Sequence, residues 1–163
     1  MIGPQTLDQA AALVDLLRGK GFLAATAESC TGGLVAGALT AIPGSSDVVD
    51  RGFVTYSNEA KAEMIGVPPA LIAEHGAVSQ AVALAMVAGA LNASRADVAV
   101  AITGIAGPGG GSDAKPVGLV HFAAQRRGAP ALHVERRYGA IGRAEVREAA
   151  VREALDLLAR VAS

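Results

Sequence analysis

The sequence predicts an α/β fold, a three-layer α/β/α sandwich around a mixed sheet of about five strands. Helical and strand patterns alternate early in the chain, and strand patterns adjoin near its end, which is typical of a sheet with parallel and antiparallel pairs. Val98 to Ile102 is also continuously apolar, as in a strand that helices cover on both faces. We interpret residues 1–163 as one domain, because this length matches a single domain and no linker or repeat divides it.

Six segments carry helical patterns or helix boundary residues. In the first, apolar side chains recur every three or four residues, Thr6 is the candidate N-terminal cap, and Gly21 would end the helix. The fifth is almost wholly apolar, so we expect it in the interior. The predicted helices cover residues 4–20, 32–42, 58–65, 68–74, 79–91 and 141–161.

Five segments carry strand patterns. The clearest is 97–103, because its apolar run is typical of a central strand. The last two strands follow a glycine-rich loop with no helix between them, which favours a mixed sheet over a purely parallel one. The predicted strands cover residues 22–27, 52–57, 97–103, 117–124 and 131–138.

Composition and charge exclude several classes of protein. Lys and Arg number 14 against 15 Asp and Glu, for a net charge of −1, so no strong electrostatic case exists for a nucleic-acid partner. The single cysteine, Cys30, forms no internal disulfide, which favours a reducing compartment. The longest apolar run, 81–91, is too short to span a membrane, and the N-terminus lacks a signal-peptide pattern. We therefore expect a cytoplasmic protein with no membrane partner.

Three polar segments follow predicted strands, where open α/β sheets bind their ligands. In 28–33 a strand enters a turn whose glycines open a helix, so backbone N–H groups could hold an anion or a developing oxyanion beside Ser29 or Cys30. The alternative is that Ser29 or Thr31 only caps the helix. The segment is not a Gly-x-Ser-x-Gly nucleophile elbow, because Ala27 and Thr31 occupy the glycine positions.

The other two polar segments are 56–61 and 103–111. Lys61 would act as a base only if burial or a neighbouring cation lowered its pKa; otherwise it lies on a solvated helix face. The glycines of 109–114 formally match G-x-G-x-x-A, but a strand follows in place of a helix, which excludes a dinucleotide site. This loop is either a mobile element that approaches a ligand or a long hairpin connection.

The remaining charged residues give weaker indications. His75, His121 and His133 are isolated in the sequence, so we expect no metal ion and no cofactor. Arg143 and Arg147 lie on one helix face, where they would repel unless an anion lay between them. The alternative is a solvated ion-pair face that includes the acidic residues Glu148 and Glu153.

Five ordered motifs carry a resemblance to a known family. They are TAESCTGG at 26–33, PGSS at 43–46, RGFVTYSNEAK at 51–61, HGAVS at 75–79, and TGIAGPGGG at 103–111 with KPVG at 115–118. Over most of its length the chain resembles the CinA C-terminal domain family, and among its members the stand-alone nicotinamide mononucleotide deamidases of the PncC type. Larger members carry an additional N-terminal domain, whose activity we expect to be absent here.

The resemblance implies an amidohydrolase of pyridine nucleotide salvage that converts nicotinamide mononucleotide to nicotinate mononucleotide and ammonia. By motif, Ser29 corresponds to the nucleophile, Lys61 to its base and Tyr56 to the third member of the site. Backbone N–H groups of the turn from Cys30 to Gly33 would then stabilise the oxyanion. Cys30 is a rival nucleophile, although we favour it as a small buried apolar residue.

The resemblance also implies a set of substrate-binding residues, with Arg143 on the phosphate. The set is Cys30, Thr31, Gly32, Gly33, Ser46, Asn58, Thr103, Gly104, Gly107 and Arg143. Two other functions stay open: a nucleotide-binding regulatory module linked to competence or DNA damage, and an amidase for another pyridine amide. The apolar segment 81–91 fits either a homo-oligomer or burial within one subunit.

Overall fold

The structure, a computed structural model, describes residues 2–163. Six α-helices and five strands follow in an order close to the predicted one, with a short 3-10 helix at Ser45–Asp47. The helices are α1 Pro4–Lys20, α2 Leu34–Thr40, α3 Asn58–Ile65, α4 Pro69–His75, α5 Gln80–Asn92 and α6 Arg143–Ala162. The strands are β1 Ala24–Glu28, β2 Val49–Val54, β3 Val98–Gly104, β4 Leu119–Arg126 and β5 Leu132–Arg137.

The five strands form one mixed sheet in the order β2-β1-β3-β4-β5. β1 pairs in parallel with β2 and β3, whereas β3, β4 and β5 pair antiparallel. The carboxyl ends of β1, β2 and β3 therefore meet at one edge of the sheet. The predicted mixed sheet of about five strands is confirmed.

Helices cover the sheet on both faces. One face packs against α1, α2 and α6 through bulky side chains such as Val100, Ile102 and Phe122. The apolar side chains that the central strands turn toward α5 on the other face are alanines, which lets this helix lie close to the sheet. These alanines are Ala25, Ala27, Ala99, Ala101 and Ala123. The three-layer arrangement follows from two apolar clusters separated by the sheet.

Two local predictions differ from the structure and a third is confirmed. Gly3, not Thr6, is the N-cap of α1, and the buried Thr6 hydroxyl donates to a Glu148 carboxylate oxygen on α6 instead. β2 covers Val49–Val54 instead of 52–57, because its pairing with β1 begins at Val49. Gly21 does end α1, in the left-handed conformation that glycine adopts without strain.

No helix within residues 2–163 combines the length and the apolar character needed to cross a bilayer.

Candidate active site

A cavity of about 210 Å³ lies at the edge where β1, β2 and β3 end. Its wall includes Ser29 and Cys30 after β1, Tyr56 after β2, and Thr103 at the end of β3. The strand order explains this convergence, because β1 lies between β2 and β3 and all three are parallel. Asn58, Lys61, Gly104 and Arg143, which the sequence also nominated, complete the predicted part of the wall.

Lys61 and Ser29 are in direct contact inside this cavity. The Lys61 Nζ lies 3.1 Å from the Ser29 Oγ and 2.9 Å from the carbonyl oxygen of Thr55. Two further carbonyls, those of Tyr56 and Ser57, lie 3.3 and 3.5 Å from it. Ser57 caps α3 by accepting from the Ala60 N–H, which places Lys61 on the first turn with its side chain directed inward. The predicted pair is therefore within hydrogen-bond reach.

The surroundings of Lys61 favour its neutral form. Only 1% of the residue is exposed, and this burial lowers the pKa of its amine, because the charged form loses its hydration. Within residues 2–163 it forms no salt bridge with a carboxylate. A neutral amine can donate its two N–H groups to the carbonyls and direct its lone pair at the serine hydroxyl. This is the geometry of a general base for Ser29.

Cys30 is a poor nucleophile in this setting. Burial raises the pKa of its thiol to about 12, because desolvation opposes the thiolate. The residue belongs to the apolar cluster beneath α2 and α6 while also forming part of the cavity wall. It therefore stays a thiol near neutral pH, whereas Ser29 has the Lys61 amine beside it.

The turn after Ser29 offers fewer free N–H groups than the sequence predicted. The N–H of Gly32 donates to the Ser29 carbonyl at 3.0 Å, so it is occupied within the turn. The N–H groups of Cys30, Thr31 and Gly33 bond to no backbone carbonyl among residues 2–163. Gly32 and Gly33 have φ values of +56° and +99°, which favour glycine. Thr31, Gly32 and Gly33 shape the turn from outside the cavity wall.

Tyr56 and Arg143 meet at the rim of the cavity. The Arg143 Nη2 donates to the Tyr56 hydroxyl at 3.2 Å, and its Nη1 donates to the Gly107 carbonyl at 2.8 Å. Tyr56 is 60% exposed, and its carbonyl, rather than its hydroxyl, reaches Lys61. The third predicted member of the site thus contacts Lys61 through its backbone and Arg143 through its side chain.

The wall also includes residues that the sequence did not nominate, namely Ala77, Val78 and Ala106. The first two belong to the loop between α4 and α5, where the Thr103 hydroxyl donates to the Ala77 carbonyl at 2.9 Å. Apolar side chains such as these do not by themselves indicate a binding site in a sequence. Only the HGAVS motif at 75–79 pointed to this loop.

Two predicted residues lie elsewhere. Ser46 is exposed in the 3-10 helix that precedes β2, at the amino-end edge of the parallel strands, because Val49 pairs with Ala24 at the start of β1. It is therefore outside the cavity. Arg147 does not share an anion with Arg143 either, because its guanidinium binds carbonyls of the Cys30–Thr31 turn.

The acidic residues of α6 do not form the alternative ion-pair face. Glu148 accepts from the Gly3 N–H and the Thr6 hydroxyl, and Glu153 pairs with Arg136 on β5. Both carboxylates therefore bind partners outside their own helix, and neither pairs with Arg143 or Arg147.

The sequence suggested that all three histidines are isolated, but two of them are in contact. The His121 Nδ1 lies 2.9 Å from the His133 Nε2, because neighbouring strands β4 and β5 place both rings on one sheet face. Burial lowers the pKa of both imidazoles. No group of three or more His, Cys, Asp or Glu side chains in the described part of the chain is placed to hold a metal ion.

A comparison with family models matches residues 7–162 to the CinA C-terminal domain, which is nearly the whole chain. The chain belongs to the CinA C-terminal domain family. The structure agrees at the level of the fold: the crystal structure of the competence/damage inducible protein CihA from Agrobacterium tumefaciens superposes with a TM-score of 0.98. The two are 53% identical in sequence, over 100% of this chain and 99% of that one.

Curated members of the CinA family carry several kinds of name, among them CinA-like protein, putative competence-damage inducible protein and nicotinamide-nucleotide amidohydrolase PncC. Over 107 residues the chain is 62% identical to the nicotinamide-nucleotide amidohydrolase PncC of Escherichia coli strain K12, covering 66% of this chain and 65% of PncC. Over 140 residues it is 57% identical to a CinA-like protein of Mycolicibacterium paratuberculosis, covering 84% of this chain and 32% of that protein. The chain thus spans about a third of the length of this CinA-like relative.

Proposed function

We propose that this protein hydrolyses the carboxamide of nicotinamide mononucleotide, with Ser29 as nucleophile and Lys61 as base. The observation that carries the proposal is the 3.1 Å contact between a buried, unpaired lysine and a serine in the wall of one cavity. The name of the E. coli relative, nicotinamide-nucleotide amidohydrolase, supports the choice of substrate.

In the acylation step the Ser29 oxygen attacks the carboxamide carbon while its proton passes to the neutral Lys61 amine. The carbonyl oxygen becomes an oxyanion, which the unoccupied N–H groups of Cys30 and Thr31 are suited to stabilise. Lys61 then returns the proton to the amide nitrogen, the C–N bond breaks, and ammonia leaves. An ester of Ser29 remains.

Water completes the cycle. Lys61, neutral again, takes a proton from a water molecule as its oxygen attacks the ester carbon, and the collapse of this second tetrahedral state returns the proton to the Ser29 oxygen. The product is the carboxylic acid, nicotinate mononucleotide, which ionises at neutral pH. The same amine thus acts as base and then acid in each half of the reaction.

The rim of the cavity is suited to the phosphate end of the substrate. Arg143 uses one N–H on Gly107 and another on Tyr56, and it forms no salt bridge within residues 2–163. A guanidinium has five N–H donors in a planar fork, so further donors stay available for a phosphate. This supports a mononucleotide substrate over free nicotinamide.

The test is ammonia release from nicotinamide mononucleotide by the purified protein, with chromatographic detection of nicotinate mononucleotide. We expect the wild type to form both products in equal amounts. Ser29→Ala should lower kcat by about 10³-fold or more, because the reaction loses its covalent intermediate.

Cys30→Ala is the matched control, because it removes the neighbouring nucleophile at the same turn. We expect it to retain activity near that of the wild type. Loss of activity in a folded Cys30→Ala, with Ser29→Ala unaffected, would move the nucleophile to the cysteine. A folded wild type that binds the mononucleotide without releasing ammonia would favour the regulatory module instead.

A further inference from the structure

Arg147 binds the backbone of the turn after Ser29. Its Nε donates to the Cys30 carbonyl at 3.1 Å and its Nη2 to the Thr31 carbonyl at 3.4 Å. Arg147 is half-buried and is not part of the cavity wall. On its outer side it lines a separate groove between α6 and the first turns of α1 and α2. Its polar contacts are therefore with the backbone of the turn.

Glu28 makes the opposite kind of contact on the same stretch of chain. Its carboxylate accepts from the N–H groups of Val35 and Ala36 at 2.9 and 3.0 Å, and from the Thr26 hydroxyl. The residue is 1% exposed, so these bonds form in a dry environment. An anion thus holds the N–H groups that follow the turn, while a cation holds the carbonyls within it.

Because the peptide bond is planar, the direction of a carbonyl fixes the direction of the N–H in the same peptide group. In a trans peptide the carbonyl and the N–H point in opposite directions. The Cys30 carbonyl and the Thr31 N–H belong to one such group, and the only cis bond within residues 2–163 is at Gly107–Pro108. Binding of the Cys30 carbonyl by Arg147 therefore directs the Thr31 N–H away from the Arg147 guanidinium.

We propose that Arg147 is a positioning residue for amide hydrolysis, which orients the backbone N–H donors of the turn toward the oxyanion. The role rests on the proposed function of Ser29. Two observations favour it over a purely structural one. Arg147 forms no salt bridge in the part of the chain described, and both of its hydrogen bonds go to peptide groups directly after the nucleophile.

The test compares three arginines of α6 through kcat and KM. Arg147→Met should lower kcat by about 10- to 100-fold with KM nearly unchanged, because donors that act in the transition state are misaligned. Arg152→Met is the matched control: Arg152 bonds to the Gln5 side chain, away from the turn, and its variant should keep the wild-type kcat. Arg143→Met should raise KM instead.

A conservative variant separates positioning from folding. Arg147→Lys keeps the charge but provides a single ammonium in place of the two-pronged guanidinium, so it should recover only part of the lost kcat. All variants should show cooperative unfolding. A folded Arg147→Met with wild-type kcat, or one in which only KM rises, would overturn the role of Arg147.

Labelling of Ser29 by a fluorophosphonate probe provides a readout that does not depend on the nucleotide. We expect the wild type and Arg152→Met to label at similar rates and Arg147→Met to label at least about 10-fold more slowly, since phosphonylation also develops charge on an oxygen at this turn. Equal labelling of Arg147→Met would contradict the role. A wild type that neither labels at Ser29 nor releases ammonia would overturn the proposed function, and with it this role.

Discussion

Lys61 must be neutral before it can accept a proton from Ser29. Its burial lowers the pKa of the amine, and the three carbonyls around the Nζ leave the serine oxygen as its only hydroxyl partner. The acidic side chain directly before Ser29, that of Glu28, is bound to amides of α2. The electrostatics at this one residue decide whether the pair is reactive.

This residue gives a pH prediction. In the proposed mechanism the protonated amine is inactive, so kcat/KM should rise tenfold per pH unit until the pH passes the pKa of Lys61 and then level off. Because desolvation lowers that pKa, the plateau should begin below the ordinary lysine value of about 10.4. The measurement is the pH profile of ammonia release.

Lys61→Arg is the companion variant, since a guanidinium keeps its charge throughout this range. We expect it to be folded and inactive at every pH tested. A wild-type profile that stays flat from pH 5 to the ordinary lysine pKa, or an active Lys61→Arg, would contradict the assignment of the base.

At this scale the sequence indicated which side chains lie together where chemistry and strand position coincide, and their roles stay predictions. Ser29, Tyr56 and Lys61 follow two neighbouring strands, and the structure brings all three to one cavity. It could not separate Arg143 from Arg147, because helical spacing gives the face of a residue but not its partner. It also misplaced Ser46, since the direction of β2 decides to which edge of the sheet that residue belongs.

At the scale of elements, the close approach of α5 and α3 positions Lys61, the proposed base. Gly89 of α5 packs against the end of α3, and a Cβ at this position would lie 1.9 Å from the Ile65 carbonyl oxygen. Lys61 stands one helical turn before Ile65 on α3. The absence of a side chain at position 89 therefore lets α3 lie where Lys61 reaches Ser29.

Gly89→Ala should accordingly destabilise the protein and reduce its activity. We expect a loss of about 1–3 kcal/mol in the free energy of unfolding, because a backbone carbonyl must shift to relieve the overlap. The measurement is urea denaturation together with ammonia release from the folded variant.

Gly19→Ala is its control, since Gly19 also lies in a helix and a Cβ there meets nothing within 4 Å. This substitution should stabilise the protein by up to about 1 kcal/mol, because alanine is the better helix former. Equal effects of the two substitutions would contradict the packing argument.

The sequence predicted helix and strand identity well but boundaries less well. The continuous apolar run of β3 and the glycine that ends α1 leave little choice of structure. β2 was displaced because its residues are largely exposed at a sheet edge and carry no clear periodicity. The pairing of His121 with His133 depends on strand register, which the sequence pattern does not specify.

At the scale of the whole molecule, the mixed sheet creates the site. Three parallel strands bring their carboxyl ends to one edge, where the glycine loop connects β3 to the antiparallel β4. β5, which is antiparallel to β4, then returns the chain to that same edge. Helix α6 then packs on the same sheet face as α1 and α2. It contributes Arg143 to the cavity rim and Arg147 to the carbonyls of the turn after Ser29. Residues more than a hundred positions apart thus act on one short turn.

The central claim is that Ser29 forms a covalent ester during turnover of nicotinamide mononucleotide. The most direct measurement is acid quenching during turnover, followed by tandem mass spectrometry of the peptide that contains Ser29, in the wild type and in Cys30→Ala. The account predicts a nicotinate mononucleotide adduct on Ser29 in both proteins and none in Ser29→Ala. An adduct on Cys30, or full turnover by Ser29→Ala, would contradict it.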